Sequence, residues 1–245
     1  MDESDVFWAS YLGFGVICTL AELLVPARKV RYAKAVPLDV IAFLVFQYLV
    51  VPVAIWLSDP ASGTMRRVPM PSALQHLWTP LRLVVFYLVA DFGSYWMHRL
   101  MHTRHVWRVH RWHHSPTQLY WLAGVRATLP QQLLFNLPYV LALPIIVGAP
   151  LWIYPVMIVE GVVRNHWMHM NVSWRSNWLE YVFVTPRYHH IHHSADAELH
   201  DGNYGSLFSM WDRLFGTYVD PDRTKPKTFG TGEKQRDPVL LMIGI

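Results

Sequence analysis

The chain has 245 residues, 53% of them hydrophobic and only 16% charged, against roughly 25% charged in a typical soluble domain. Its single cysteine, Cys18, excludes a disulfide framework and a cysteine-ligated zinc or iron–sulfur site within the chain. The formal charge of +4 is spread among apolar runs with no continuous basic stripe, which favours a membrane surface and no nucleic acid as partner.

Apolar segments follow one another along the first two thirds of the sequence. "FWASYLGFGVICTLAELL" (7–24) comes after the acidic "MDESD", which lacks the basic n-region and small-residue cleavage site of a secretory signal, and is expected to be a retained transmembrane helix. "VIAFLVFQYLVVPVAIWL" (40–57) is a second span and "LVVFYLVADFGSYWM" (83–97) a third; each approaches the ~20 residues that cross a bilayer core. From Leu133 to Val163 a longer apolar region, broken by Pro138, Pro144, Gly148, Pro150 and Pro155, is expected to be a helical hairpin turning near "VGAP". The fold expected is therefore all-α, an integral membrane bundle of about four transmembrane helices. Four basic residues in the loop "ARKVRYAK" (27–34) place that loop in the cytoplasm by positive-inside bias, the N-terminus outside and everything from about His98 onward on the cytoplasmic face. Arg66 and Arg67, in the outer loop, run against this bias. The basic loop itself reads equally well as a solvated loop or as a contact for lipid headgroups. Three stretches result: a membrane hairpin with its connecting loop over 1–80, a histidine-bearing domain over 81–219, and a polar tail over 220–245, loop-like from Pro221 to Asp237.

Eleven of the fourteen histidines fall into four boxes. "HRLMH" holds His98 and His102; "HRWHH" holds His110, His113 and His114; "NHWMHMN" holds His166 and His169; "RYHHIHHSAD" holds His189, His190, His192 and His193. Residues three and four apart share one helical face, so each box presents clustered imidazoles. In the last box Thr185 is a candidate N-cap and Pro186 a first helical residue. On that helix His189, His192 and His193 share a face, while His190 lies about 100° from His189 and stands apart. A lone histidine is usually structural, and His76, His105 and His200 are read so; repeated spacing in four boxes points instead to metal. A mononuclear catalytic site uses about three protein ligands, so this many imidazoles suits two metal ions. Imidazole alone does not choose among zinc, copper, iron and nickel.

The ordered motifs "DFGSYWMHRLMH", "HRWHHSPTQL", "HWMHMN", "VTPRYHHIHHS" and "NYGSLFSMWDRLFGTY" resemble the fatty acid hydroxylase/sterol desaturase family of integral membrane proteins over residues 83–218. The resemblance implies a transmembrane bundle with a cytosolic histidine-rich helical cap. That cap would hold a non-haem di-iron centre, which activates O2 to hydroxylate or desaturate a lipid C–H bond. Carried onto this chain, the ligands implied are His98, His102, His110, His113, His114, His169, His189, His192 and His193, with His166 in a box whose spacing is shorter than in some relatives. "LYWLAGVRATLP" keeps Arg126 but lacks the Asn near Tyr120 and the His near Thr128 that the family often has. No flavin, dinucleotide or haem fingerprint is evident, so two iron ions would draw electrons from an external donor, a redox partner.

Asp91 lies two turns before His98 on roughly the same helical face, a position for orienting a ligand histidine or for bonding helix to helix. Asp196 and Asn203 follow the last box and are placed either to accept imidazole N–H bonds or to form turns. "WDRLFGT" (211–217) reads as structural packing, and Trp96, Trp107, Trp112 and Trp167 as an apolar wall or as interfacial anchors. The intramembrane acids Glu22 and Glu160 suggest no role. A competing reading is a zinc-dependent membrane hydrolase of a lipid ester or amide, with Asp196 or Glu198 as general base; a third is a metal or haem carrier.

Overall fold

The computed structural model describes residues 2–231 and 237–244; positions 232–236 of the expected polar tail lie outside the described residues. Every named element is helical. In chain order they are α1 (Glu3–Leu24), α2 (Tyr32–Val45), α3 (Val51–Arg67), α4 (Thr79–Met101), α5 (Trp107–His110), α6 (Leu129–Ala142), α7 (Ile153–His169), α8 (Asn177–Val182), α9 (Pro186–His192), α10 (Met210–Phe215) and α11 (Pro238–Met242).

Helix α1 starts at a reciprocal cap: the Asp2 carboxylate accepts from Asp5 N and the Asp5 carboxylate from Asp2 N. It runs unbroken through the first apolar segment. The second segment is longer than its hydropathy suggests, because α2 and α3 join through a π-helical turn, Phe46–Val50, into one helix from Tyr32 to Arg67. Pro52 explains the turn. Proline has no N–H to give the carbonyl four residues back, and its ring crowds that carbonyl, so the ladder widens upstream; Val51 N bonds to Phe46 O, five residues away.

Among the described residues two helices, α1 and the 36-residue α2–α3 unit, are both long and apolar enough to cross a bilayer unaided, not the four expected. Helix α4 has the length, 23 residues, but carries Arg82, Asp91, His98 and Arg99. The region expected as a hairpin does give two helices, α6 and α7, of 14 and 17 residues, linked by a turn through Gly148, whose φ of 71° favours glycine, but they pack mainly on other helices and not on each other. Leucine, isoleucine and valine side chains stand exposed along α1 and the α2–α3 unit, including Leu20, Leu23, Ile41, Leu49 and Ile55. An apolar patch of this extent marks a contact with apolar surroundings.

Helix α1 packs on α7, α4 on α6, and α3 on α6. Two buried acids from the first helices then fix the segment between α5 and α6. Glu22 accepts from Trp121 N (2.8 Å), Asn171 N (2.7 Å) and Tyr32 Oη (3.1 Å). Asp39 pairs with Arg126 Nε at 2.5 Å and accepts from Tyr120 Oη at 2.5 Å. Both ends of the ion pair are buried, and removing one partner of such a pair costs about 3–5 kcal/mol. The C-terminal stretch expected as a polar tail is tied down at both of its described ends. Lys227 N and Thr228 Oγ1 bond to Asp196, and α11 buries Leu241 in the core with Tyr11 and Trp112.

Candidate metal centre

The boxes converge because four helices end at the same level. His98 and His102 close α4, His110 closes α5, His169 closes α7, and α9 carries the last box behind its Thr185 cap, whose hydroxyl accepts from Tyr188 N. Nine histidines form two groups: His98, His102, His110, His114 and His192 in one, and His113, His169, His189 and His193 in the other. Within each, the candidate ligand nitrogens all lie within 4.8 Å of one another. The H-x-x-H-H boxes split in a regular way. Residues i and i+4 stay together, as in His110 with His114 and His189 with His193, while the i+3 members His113 and His192 cross to the other group. On a helix i+4 lies about 40° to one side of i and i+3 about 60° to the other, so a box straddles two sites.

Several rings are locked in one tautomer. His98 Nδ1 donates to Tyr204 O (2.7 Å), His113 Nδ1 to Arg126 O (3.1 Å), His169 Nδ1 to Asn165 O (2.9 Å) and His192 Nδ1 to Gly202 O (3.0 Å). A carbonyl can only accept, so each Nε2 is left with its lone pair. Burial holds the pKa of His113 down to about 3 and that of His192 down to about 4, which keeps both rings neutral at physiological pH. His113 Nε2 and His169 Nε2 then face each other at 3.4 Å, lone pair to lone pair, an arrangement that a cation between them relieves. The other close pairs, His169–His189 at 3.2 Å, His189–His193 at 3.0 Å and His98–His110 at 3.0 Å, are all Nε2 to Nε2. Imidazoles bound at about 2.0–2.1 Å to one ion and about 90–109° apart have nitrogens about 2.8–3.4 Å apart. His102, His114 and His192 each hold a buried Nε2 without any hydrogen-bond partner. Orphaned acceptors of this kind are costly unless something binds them, and the donor set fits metal.

The remaining candidates are placed elsewhere. His166 joins neither group: its Nδ1 donates to Val162 O (2.8 Å), and its ring stacks on Trp121 with centroids 4.6 Å apart. His190, offset on α9, meets Arg28 instead, its Nδ1 3.0 Å from the guanidinium. Asp91 touches no histidine; it accepts from Leu207 N (2.9 Å), Phe208 N (2.9 Å) and Trp211 Nε1 (3.0 Å). Asn203 donates to Tyr188 O and Val219 O and accepts from Val219 N, in a left-handed turn with φ 57°. Asp196 sits at the surface, bound to Lys227 N (2.6 Å) and Thr228 Oγ1 (2.8 Å). Neither reaches an imidazole, since the carbonyls of their own loop, Gly202 and Tyr204, take that place.

"WDRLFGT" supplies the clamp for this loop. Asp212 accepts from Tyr204 N (2.7 Å), Gly205 N (2.8 Å), Thr217 Oγ1 (2.7 Å) and Tyr188 Oη, and Trp211 and Phe215 pack against Phe92, Tyr95 and Trp96 of α4. Of the four tryptophans named above only Trp107 lies against the imidazoles, 5.1 Å from His102 and 5.2 Å from His114. Composition did not mark Gly124, yet a Cβ there would stand 2.3 Å from His169 Nδ1. Asp39 and Arg126, which set the carbonyl that holds His113, gave no sequence signal as a pair.

A half-open cavity of about 580 Å³ is lined in part by His98, His113, His169 and His189. Its wall comes from Phe7 and Tyr11 of α1, Phe43, the π turn at Phe46 and Gln47, Phe135 and Tyr139 of α6, and Met157 and Val162 of α7. No carboxylate lines it among the described residues. The volume is within the range of small-molecule sites, and the predominantly apolar wall suits an aliphatic guest.

Helical packing, exposed apolar spans and two all-histidine groups beneath an apolar cavity define the class: a membrane-associated, histidine-box metalloprotein. The family model for fatty acid hydroxylase matches residues 83–217, and the chain belongs to that family, the fatty acid hydroxylase/sterol desaturase superfamily. It is 33% identical over 188 residues to ornithine lipid hydroxylase of Rhizobium tropici, covering 72% of this chain and 55% of that one. It is 29% identical over 133 residues to human alkylglycerol monooxygenase (54% and 29%) and 27% identical over 158 residues to methylsterol monooxygenase 1-3 of Arabidopsis thaliana (63% and 53%). The chain thus spans about half or less of the length of these relatives. No solved structure matches it.

Proposed function

We propose that the protein is a membrane-bound, O2-dependent oxygenase that hydroxylates or desaturates a lipid, with one iron ion in each histidine group. The observation that carries this is the pair of all-nitrogen groups whose rings line a predominantly apolar cavity; the named activities of the relatives, oxygenation of lipids and sterols, supply the direction. A di-iron pair reduced by an external donor supplies O2 activation and C–H cleavage. The protein's own part is threefold. His98, His102, His110, His114 and His192 hold one ion and His113, His169, His189 and His193 the other. The carbonyls of Tyr204, Arg126, Asn165 and Gly202 keep four of those rings in the metal-binding tautomer. Phe135, Met157, Val162 and Tyr11 exclude water and align an alkyl chain that enters from the bilayer. The histidine boxes lie on the cytoplasmic side, where the basic loop 27–34 also sits.

The hydrolase reading needs a general base beside the metal. Asp196, at the surface, accepts from Lys227 N, exposed Glu198 pairs with Lys227 Nζ, and neither serves. Metal analysis of protein purified without added metal, followed by incubation with 18O2, a reductant and total lipid, tests the proposal. About two iron per chain and 18O in a lipid alcohol, or O2-dependent loss of two hydrogens, is the expected result. Stoichiometric zinc, or full turnover without O2, sinks it.

A further inference from the structure

The cavity wall contains polar groups that an alkyl chain cannot satisfy. Outside the two histidine groups, four wall residues hold a buried polar atom with no hydrogen-bond partner: Tyr11 Oη, Ser94 Oγ, Gln131 Oε1 and His166 Nε2. Several other polar wall residues are paired. Gln132 Nε2 donates to Asn136 Oδ1 (2.9 Å), and Arg164 bonds to Glu160 (3.0 Å) and Tyr139 Oη (2.7 Å).

Two of the four lie beside the histidines. Ser94 is one turn before His98 on α4, about 6 Å along the axis. Gln131 is one turn before Phe135 on α6, and the Phe135 ring lies 5.4 Å from that of His98 and 6.1 Å from that of His110. Gln131 is 4% exposed and Ser94 1%; α4 packs directly on α6, and both residues line the cavity together with His98. A serine within a helix commonly turns its hydroxyl back to the carbonyl four residues earlier, yet Ser94 makes no such bond. Buried amides and hydroxyls left unpaired are destabilising, and a bound group that both donates and accepts removes the penalty.

We propose that the cavity selects a lipid carrying an amide or hydroxyl within a few carbons of the atom oxidised, and that Gln131 and Ser94 are the residues that read it. Plain hydrocarbon chains would leave both groups unmatched. The proposal rests on the lipid-oxygenase reading of the same cavity and adds the polar function of its substrate.

The test uses the full-length, metal-loaded protein in nanodiscs under anaerobic conditions, where binding is measured without turnover. N-methylhexadecanamide and methyl hexadecanoate compete for displacement of radiolabelled 1-hexadecanol; the pair is matched in length and shape, and only the amide has an N–H. The amide is expected to bind about tenfold more tightly than the ester, a discrimination typical of one good hydrogen bond. In Gln131→Met the two should come within about twofold, with metal content unchanged. Ser94→Ala, which deletes a single oxygen, gives a second reading should the first variant fail to accumulate. Equal binding of amide and ester by the wild type, as when ordered water occupies these groups, overturns the proposal, as does a preference that survives both substitutions. Because the assay needs no O2, binding preference without lipid oxidation would fault the oxygenase reading alone, and oxidation without preference would fault the polar subsite alone.

Discussion

The two histidine groups are built from the same boxes, yet they are supported from opposite sides. In the group containing His98, only that residue reaches the cavity; in the group containing His189, three of four rings line it. The first group takes its backbone acceptors from Gly202 and Tyr204, in a loop clamped by Asp91 and Asp212. The second takes them from Arg126, held by Asp39, and from Asn165 in α7. Thus one half of the centre depends on the loop 202–208 and the other on Asp39 of α2 and on α7, and the half with more rings on the cavity is the one anchored in α2 and α7.

Direct loss of a ligand tests this division most strongly. His114→Ala and His189→Ala should each lower turnover by more than about a hundredfold, beyond the effect typical of outer-shell changes, and each should remove about one of two metal ions. Loss of both ions from either variant would mean that the groups form one cooperative unit. Next in size is Asp212→Asn. An asparagine offers one acceptor oxygen where the carboxylate serves four donors, and its NH2 faces N–H groups. A drop of about 3 kcal/mol is expected from losing bonds to a buried charge, seen as a lower midpoint in denaturant. Metal should leave the His98 group first. An unchanged midpoint, or earlier loss from the His189 group, would remove the loop from the argument.

Much of this was legible in the sequence, for an identifiable reason. Ligand histidines recur at i+3 and i+4 because helices present them so, and nine of the ten proposed rings do meet in space. His166 misled because it obeys the same spacing while its ring turns toward α1, where Tyr11 and Trp121 receive it. The partition of each H-x-x-H-H box between two groups follows from helical angles alone, but only once the second group's position is known. The clamps were not legible. Glu22 reaches Asn171 and Asp39 reaches Arg126 across more than eighty residues of chain, and periodicity holds no information about such pairings. Asp91, expected to orient a ligand histidine or to bond helix to helix, instead holds the backbone amides of 207 and 208, which no motif distinguishes from other amides. Only two of the expected spans stand out by length and composition: α4 gives apolar positions to Arg82, Asp91 and His98, which lowers its hydropathy below that of a free-standing span.

Gly124→Ala sharpens the comparison at lower cost to the fold. The new methyl group would fall 2.3 Å from His169 Nδ1 and 2.7 Å from its Cε1, so the ring must move and its bond to Asn165 O is strained. Metal in the His189 group should weaken about 10–100-fold, the usual consequence of disturbing an outer-shell contact, while the His98 group keeps its ion. Competitive chelation, following the two ions separately, measures this. Equal weakening of both would show that Gly124 acts through the fold as a whole.

The smallest effect is expected at His190, between two proposed ligands in sequence and separated from them by its angle on α9. Burial, with the Arg28 charge beside it, holds its pKa down to about 3, so the neutral ring accepts from the guanidinium at 3.0 Å. Arg28 has other support, lying 4.8 Å above the Phe229 ring and donating to Pro226 O. His190→Ala should therefore cost about 1–2 kcal/mol, the worth of one hydrogen bond to a charged group, with both metal ions retained. A variant stripped of metal as thoroughly as His189→Ala would mean that α9 presents a different face to the centre, and the division of its histidines between two ions would fall with it.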